Sequence, residues 1–523
     1  MKHTKTLDWP SLLLLVAILF GGLVRFMPAL MTHFPLNDGG MFYDMTRDLQ
    51  ANHYLLPATT HYNGLNLPYA YPPFGFYAAS LLSDLLRIPL LDLFLWLPAL
   101  VAAFSIPAFY LLAHALLPDD LHAALAALFF ALTPGGYDWP VMGGGVTRAF
   151  GLLFMMLALY FVLRLFQTGA WKNSFPAILF SAFAVLSHPE VGIQTAGACI
   201  VLWLFYGRSW RGVLQAFLVG IGVALVTAPW WGTVIAANGL APFLSAIQTG
   251  EHSSVSWLSL LAGLFTTSEF LPILLILRLA GLFYAVWKRQ FIFIALIFVP
   301  ALVDPRSAAT VSYLVLSMLS AYAFLDVWPF IVKKLRGVEV PPFLAQRGGT
   351  IALFGLLFFL FLECGLNNYR LINTTLTAAS RQAMTWVKQN IPAGENFYLI
   401  TTAPYSMSDP VQEWFPTLTG QHSQTTLQGL EWSLGGNFNT RLNDLVELQT
   451  CADLACVEAW SAHTGLDFDA IWVSVYSLRA NPQKAAQTTS LVASIQASNQ
   501  FTQVYEGQSS SAGKIMIFER LKK

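Results

Sequence analysis

Phe34-Pro35-Leu36-Asn37-Asp38-Gly39-Gly40-Met41-Phe42-Tyr43-Asp44 follows directly on the first long apolar run, residues 10–30. An acid beside two glycines at the mouth of a membrane span is poorly explained by stability. It places a charge at the membrane–water boundary, on backbone that turns freely. Such a group suits chemistry on a substrate that is itself held in the membrane.

The rest of the chain supports that setting. Of its 523 residues 56% are hydrophobic, 14% aromatic and only 11% charged. Soluble domains carry about 25% charged residues. With a mean hydropathy of +0.57, the chain reads as an integral membrane protein. The formal net charge is zero, so no nucleic-acid partner is implied. Residues 1–9, with Lys2 and Lys5, resemble the basic end of a signal peptide. The apolar run that follows is too long for one, and it shows no small-residue cleavage site, so it reads as a retained first span.

Apolar runs able to cross the bilayer occur near residues 10–30, 92–117, 121–134, 148–167, 175–188, 190–206, 213–235, 270–287, 291–304, 309–331 and 349–366. The fold class is therefore a polytopic α-helical membrane protein of about eleven spans. Lys2 and Lys5, Lys172, Arg208 and Arg211, Lys288 and Arg289, and Lys333, Lys334, Arg336 and Arg347 cluster on one side. The positive-inside rule puts that side, and the N-terminus, in the cytoplasm; a prokaryotic plasma (inner) membrane is the expected location. Loops 31–91, 134–147, 236–269 and 304–308 then face outward, as does the C-terminal part. Residues 71–90 open with Pro72-Pro73 and carry Asp84 and Arg87, so they read as a juxtamembrane helix; 257–267 is a similar interfacial stretch.

Residues 1–368 form the membrane domain, with its first external loop at 31–72, and 369–523 form a small extracytoplasmic α/β domain. Helices are expected at 375–391, 440–464 and 484–499. Strands are expected at 396–401, 469–475, 501–507 and 514–519. Cys199 and Cys364 sit in apolar runs as inert small hydrophobes. Cys451 and Cys456 are close enough in sequence for a disulfide, and are equally compatible with free thiols.

In the first loop Asp38 is the candidate general base, because a base must reach an acceptor hydroxyl and stay ionised. Asn37, Asp44 and Tyr71 are candidate acceptor or sugar ligands, Asp44 in a secondary role. The second loop, Pro134 to Arg148, holds Gly143-Gly144-Gly145 before a helix. A glycine-rich turn into a helix offers N–H groups to an anion, and Arg148 at a helix start calls for one. A divalent metal, with Asp138 as ligand, is the alternative there. No Cys/His metal cluster or cofactor motif is present. His188-Pro189-Glu190 lies at the same outer level, so His188 and Glu190 join the sugar or acceptor candidates. Arg306 is the most exposed outer cation. Arg25 lies near the outer end of the first span and Arg278 near mid-span. Arginine's planar fork suits phosphate, which makes Arg25, Arg148 and Arg306 the lipid-phosphate candidates.

At this point the chain resembles the GT-C membrane glycosyltransferases, which use polyprenyl-phosphate sugars. Protein O-mannosyltransferases and aminoarabinose transferases belong to them. The resemblance rests on Asn37-Asp38-Gly39-Gly40 after the first span and on the aromatic stretch Pro68-Tyr69-Ala70-Tyr71-Pro72-Pro73-Phe74-Gly75-Phe76-Tyr77. It also rests on the layout of many spans before an extracytoplasmic domain, with Trp386-Val387-Lys388-Gln389-Asn390-Ile391-Pro392 and Glu413-Trp414-Phe415-Pro416-Thr417-Leu418-Thr419-Gly420-Gln421 after the last span. It implies an inverting transferase with Asp38 as base. The donor would be a sugar on a polyprenyl phosphate, and the acceptor a glycan, lipid or protein. Gly39 departs from the adjacent acids of the mannosyltransferases. Trp230-Trp231-Gly232 is not the sequon-reading motif of oligosaccharyltransferases. Two rival classes remain: a transporter or flippase of a lipid-linked or anionic solute, and a non-catalytic envelope-assembly protein.

Overall fold

The computed structural model describes residues 8–249, 271–305, 307–339, 341, 343–403, 406–476, 481–509 and 513–521. Arg306 and the stretch at 257–267 lie outside the described residues. The membrane part begins with α1 (Trp9–Thr32), which ends where His33 adopts left-handed backbone. α2 (Gly40–Ala51) and a small ribbon, β1 (Thr59–Thr60) against β2 (Leu67–Pro68), follow in the first loop. Then come α3 (Phe74–Leu86), α4 (Leu90–Leu116), α5 (Asp120–Ala131), α6 (Gly145–Thr168), α7 (Ser174–Ser187), α8 (Pro189–Tyr206), α9 (Trp210–Asn238) and α10 (Ala241–Thr249). Helices Ile273–Trp287 and Phe291–Val303 precede a longer one that passes through a π turn to Arg336, and Arg347–Ile372 closes the set.

Seven of these are long and apolar enough to cross a membrane: α1, α4, α6, α8, α9, Val311–Arg336 and Arg347–Ile372. They are dissolved inside out relative to a soluble protein. Leu15, Leu19, Phe217 and Leu225 point outward, while Arg25, Ser105, Gln194 and Arg278 are buried. Arg278, which has no partner legible in sequence, lies over the Tyr313 ring at 5.2 Å. The expected spans at 121–134 and 175–188 form helices of 12 and 14 residues. At 1.5 Å per residue neither covers the ~30 Å hydrocarbon core alone. In α5 every residue from His122 to Ala131 is buried, and five alanines let α1, α4 and the following bundle close around it. The 71–90 stretch gives the 13-residue α3, whose Asp84 accepts hydrogen bonds from Gln50 and from the Tyr54 hydroxyl.

The C-terminal part is a five-stranded sheet in the order β4 (His422–Ser423), β3 (Asn396–Ile400), β5 (Ala470–Val475), β7 (Gly513–Arg520), β6 (Phe501–Ser509). The first three strands are parallel; the last two form an antiparallel hairpin. Helices cover both faces, so β3 alternates between two apolar layers: Phe397 and Leu399 in one, Tyr398 and Ile400 in the other. The single helix expected at 440–464 is two, Phe438–Leu448 and Leu454–Thr464. Asp453 causes the break by capping the second helix through the Cys456 N–H at 2.8 Å. Cys451 and Cys456 form a disulfide across the same turn.

One apolar layer of this sheet reaches back to the membrane part. Phe34, two residues past the end of α1, packs with Trp414, Phe415 and Trp472 in it. Its ring meets Trp414 edge-on at 4.8 Å. Trp472 sits fully buried at the centre. Trp472→Ala is expected to cost about 3–5 kcal/mol, measurable by denaturant titration of the purified protein in detergent, followed by circular dichroism.

Candidate active site

Asn37 to Met41 is an irregular turn held on three sides. Its entry is sewn to the far end of Arg347–Ile372: Leu36 bridges to Thr375, and the Asn37 N–H donates to the Thr374 carbonyl at 3.2 Å. Its second side is the glycine-rich loop, where the Gly143 N–H donates to Leu36 O at 2.9 Å. The Gly144 N–H donates to Asp38 Oδ1, also at 2.9 Å. Arg148 pairs with Asp38 Oδ2. Its guanidinium also donates to Trp139 O and lies 4.9 Å above that indole ring. The anion that the glycine-rich loop and Arg148 call for is therefore the protein's own Asp38.

This approach is very close. A Cβ on Gly144 would stand 2.2 Å from Arg148 Nη2 and 2.7 Å from Asp38 Oδ2; one on Gly143 would stand 1.9 Å from Asp38 O. Only glycine lets the loops meet.

The third side is Pro410–Thr419 of the α/β part, here termed the clamp helix. Trp414 Nε1 donates to Asn37 O at 3.1 Å. Glu413 Oε1 accepts from the Gly39 and Met41 N–H groups at 3.2 and 3.1 Å. The Thr417 hydroxyl donates to Gly40 O at 3.0 Å. Tyr62, from the first loop, donates to Glu413 O at 2.7 Å. Gly39 takes φ +119° and faces Gly143, whereas a Cβ on Gly40 would lie 2.3 Å from Glu413 O, so Gly40 is the one that serves contact with the clamp helix. Burial, then the Asp38 charge, push the Glu413 carboxyl up to about 8 against the pull of its two N–H donors.

Above this turn lies a cavity of about 260 Å³. It gathers four of the residues expected from sequence, Asp38, Tyr71, His188 and Glu190, and adds Glu413, Glu431 and Trp432 from the α/β part. Trp230 of α9 and Phe243 of α10 complete an aromatic wall. Tyr71 is its hub, with ring centroids 4.6 Å from Phe42, 6.0 Å from His188 and 6.2 Å from Trp432. Such rings, with carboxylates and an imidazole between them, match the faces and hydroxyls of a sugar.

Other candidates are placed elsewhere. Arg25 is buried in the helices, donating to Gly21 O and Ala131 O and flanked by the Phe130 and Tyr137 rings, so it does not reach the cavity. Both bonds use Nη1, and it is burial among the helices that keeps the rest of the guanidinium from a phosphate in the cavity. Asn37 is buried in the turn as a structural residue, its carbonyl held by Trp414 and its amide against Met142. Asp44 lines a separate polar cavity of about 380 Å³ with Arg47, Asp48, Asn63 and His422. It bonds Thr417, and burial raises its carboxyl to about 6. Asp138 accepts from Asn367 Nδ2 at 2.7 Å, and burial raises it to about 7. Among the described residues no three His, Cys, Asp or Glu side chains come together to hold a metal ion.

Comparison with solved structures sharpens this. ArnT from Cupriavidus metallidurans, bound to undecaprenyl phosphate, matches over 98% of both chains at a TM-score of 0.54 and 16% identity. Its apo state matches at 0.54 as well. The chain has the GT-C fold. The mycobacterial arabinofuranosyltransferase AftD shares this GT-C fold over 99% of the present chain, which spans 40% of AftD, at a TM-score of 0.55 and 15% identity. No family model matches the chain. No curated protein matches it either. With the GT-C fold and its apolar helices the chain is an integral membrane protein.

Glycine to alanine at a helix start usually stabilises by about 0.4–1 kcal/mol. Gly144→Ala is expected to do the opposite, destabilising by about 1–3 kcal/mol through overpacking against Asp38 and Arg148. Thermal unfolding in detergent distinguishes the two signs.

Proposed function

We propose that this protein is a membrane glycosyltransferase that moves a sugar from a polyprenyl-phosphate donor to an acceptor hydroxyl, with Asp38 as general base. The observation that carries the reading is a single cavity, floored by Asp38 and walled by aromatic rings, at the junction of the membrane helices and the α/β part. The acceptor oxygen attacks the anomeric carbon as its proton passes to the Asp38 carboxylate. The bond from that carbon to the phosphate oxygen breaks, and the phosphate leaves with the electron pair, giving inversion. Arg148, paired with Asp38, is a cation beside the base that could also stabilise the charge of a leaving phosphate.

A second cavity supports a lipid donor. About 420 Å³ of space between α6, α7, α8 and α9 is lined by Val162, Phe166, Val185, Trp203, Val219 and their neighbours. α8 connects the two: its first residues, Pro189 and Glu190, line the sugar cavity, and Gly192, Thr195, Cys199 and Trp203 line the apolar one. A head group in the first and an isoprenoid chain along α8 suit this division. The lysine and arginine distribution supports an outward-facing sugar cavity, and ArnT, of the same fold, was solved bound to undecaprenyl phosphate.

The purified protein in proteoliposomes, given undecaprenyl phosphate carrying labelled pentoses or hexoses, is expected to transfer sugar. Asp38→Asn should lower turnover by about 10²–10⁴-fold in protein that is still folded by circular dichroism. Wild-type turnover by Asp38→Asn would overturn the assignment of the base.

A further inference from the structure

Two carboxyl groups face the sugar cavity from opposite sides of one short turn. Asp38 belongs to the turn itself. Glu413 comes from the clamp helix, 375 residues further on in the chain, and is 4% exposed. Their surroundings differ in kind. Asp38 has a guanidinium and an N–H, both of which favour the ionised form. Among the described residues no cation pairs with Glu413; its Oε1 takes two backbone N–H groups, and no described residue hydrogen-bonds its Oε2.

We propose that the α/β part contributes Glu413 to the active site as a positioning residue: its carboxyl grips the Gly39 and Met41 amides and so sets where Asp38 faces the cavity. This rests on the transferase reading and deepens it. The grip is specific to this side chain. Trp414 and Thr417 hold carbonyls of the turn, at Asn37 and Gly40, whereas Glu413 alone holds amides on both sides of Gly40. Without it the N–H groups of Gly39 and Met41 would be left buried and unpaired.

Protonation then matters. Glu413 Oε1 accepts both N–H groups whether or not Oε2 carries a proton. A proton on Oε2 leaves one negative charge at the turn, on Asp38; its loss puts a second carboxylate there. The charged or titratable groups around it are Asp38 in the turn, Arg148 on α6 paired to Asp38, Asp44 on α2 through Thr417, and Tyr62 on the first loop. Glu431 stands beside it, and His188 and Glu190 stand at the start of α8. The arginine among these groups is already engaged by Asp38. Burial and the Asp38 charge hold Glu413 as the neutral acid up to about pH 8. Above that, a second negative charge faces the phosphate of the incoming donor. The site therefore pairs one ionised and one neutral carboxyl, an arrangement that sets the two apart in function.

Glu413→Gln tests this, because glutamine keeps the accepting oxygen and stays neutral. Wild-type transfer should fall about tenfold per pH unit above pH 8, and the Glu413→Gln profile, whatever its height, should stay flat there. Glu413→Ala should lose turnover at every pH, by at least about tenfold. A shared alkaline limb, or a folded Glu413→Gln as inactive as Glu413→Ala, would overturn the proposal. A readout free of the transferase reading is infrared difference spectroscopy between wild type and Glu413→Gln. A protonated carboxyl band that titrates near pH 8 and is missing in the variant supports the proposal even if no sugar is transferred. Absence of that band overturns it.

Discussion

The structure depends on one ion pair, between Asp38 of the first loop and Arg148 at the start of α6. An ionised group taken from water into a protein loses solvation worth several kcal/mol and needs partners of good geometry in return. Asp38 receives Arg148 and the Gly144 N–H. The rest of the local sequence follows from bringing those two within reach. Arg148 must stand in the first turn of α6, where a cation opposes the helix dipole and is relieved by an adjacent anion. The loop before it must come near enough to donate an amide, which excludes a side chain at residues 143 and 144. Each of the two unfavourable placements, the acid at the boundary and the arginine at the helix start, is the remedy for the other.

That pair alone would leave the turn hinged on two glycines. The α/β part removes this freedom. Its clamp helix satisfies polar groups of Asn37, Gly39, Gly40 and Met41, and Phe34 is buried in its core. Backbone groups that leave water must be paired, and here the pairing crosses from one part of the chain to another. The α/β part is thus joined to the loop that carries Asp38 through its own hydrophobic layer. A purely appended domain would not bury an aromatic residue from the first loop.

Much of this was legible in the sequence, for physical reasons. Apolar runs mark helices whatever their partners, so the bundle and its polytopic character could be read directly. Alternating strands and helices after residue 375 gave the α/β part. Asp38, Tyr71, His188 and Glu190 could be grouped because loop topology puts them at one level. What failed shared a cause: the partner of a charge is set by tertiary packing. Arg148 called for an anion, and the sequence suggested a phosphate, while the fold supplies Asp38. Arg25 looked available near the end of α1, yet its neighbours across the bundle are Ala131 O and two aromatic rings. Asp44 lies on the same helix as Met41 but turns toward Thr417 and a different cavity. Glu413 and Glu431 went unrecognised as site residues. Each is a glutamate followed by tryptophan in a polar stretch, Glu413-Trp414 and Glu431-Trp432, and that repeated pair was the available signal.

The two carboxyls also bear on why the site is assembled from distant segments. Had both acids come from one loop, they would share a dielectric and a set of donors, and their protonation would be hard to separate. Placing Asp38 among donors from α6 and Glu413 within a buried helix gives each its own surroundings while both line one cavity. The like-charge repulsion that would spoil a symmetric pair then acts in one direction, favouring the proton on the group that has no cation. The separation in sequence is what makes the difference in environment possible.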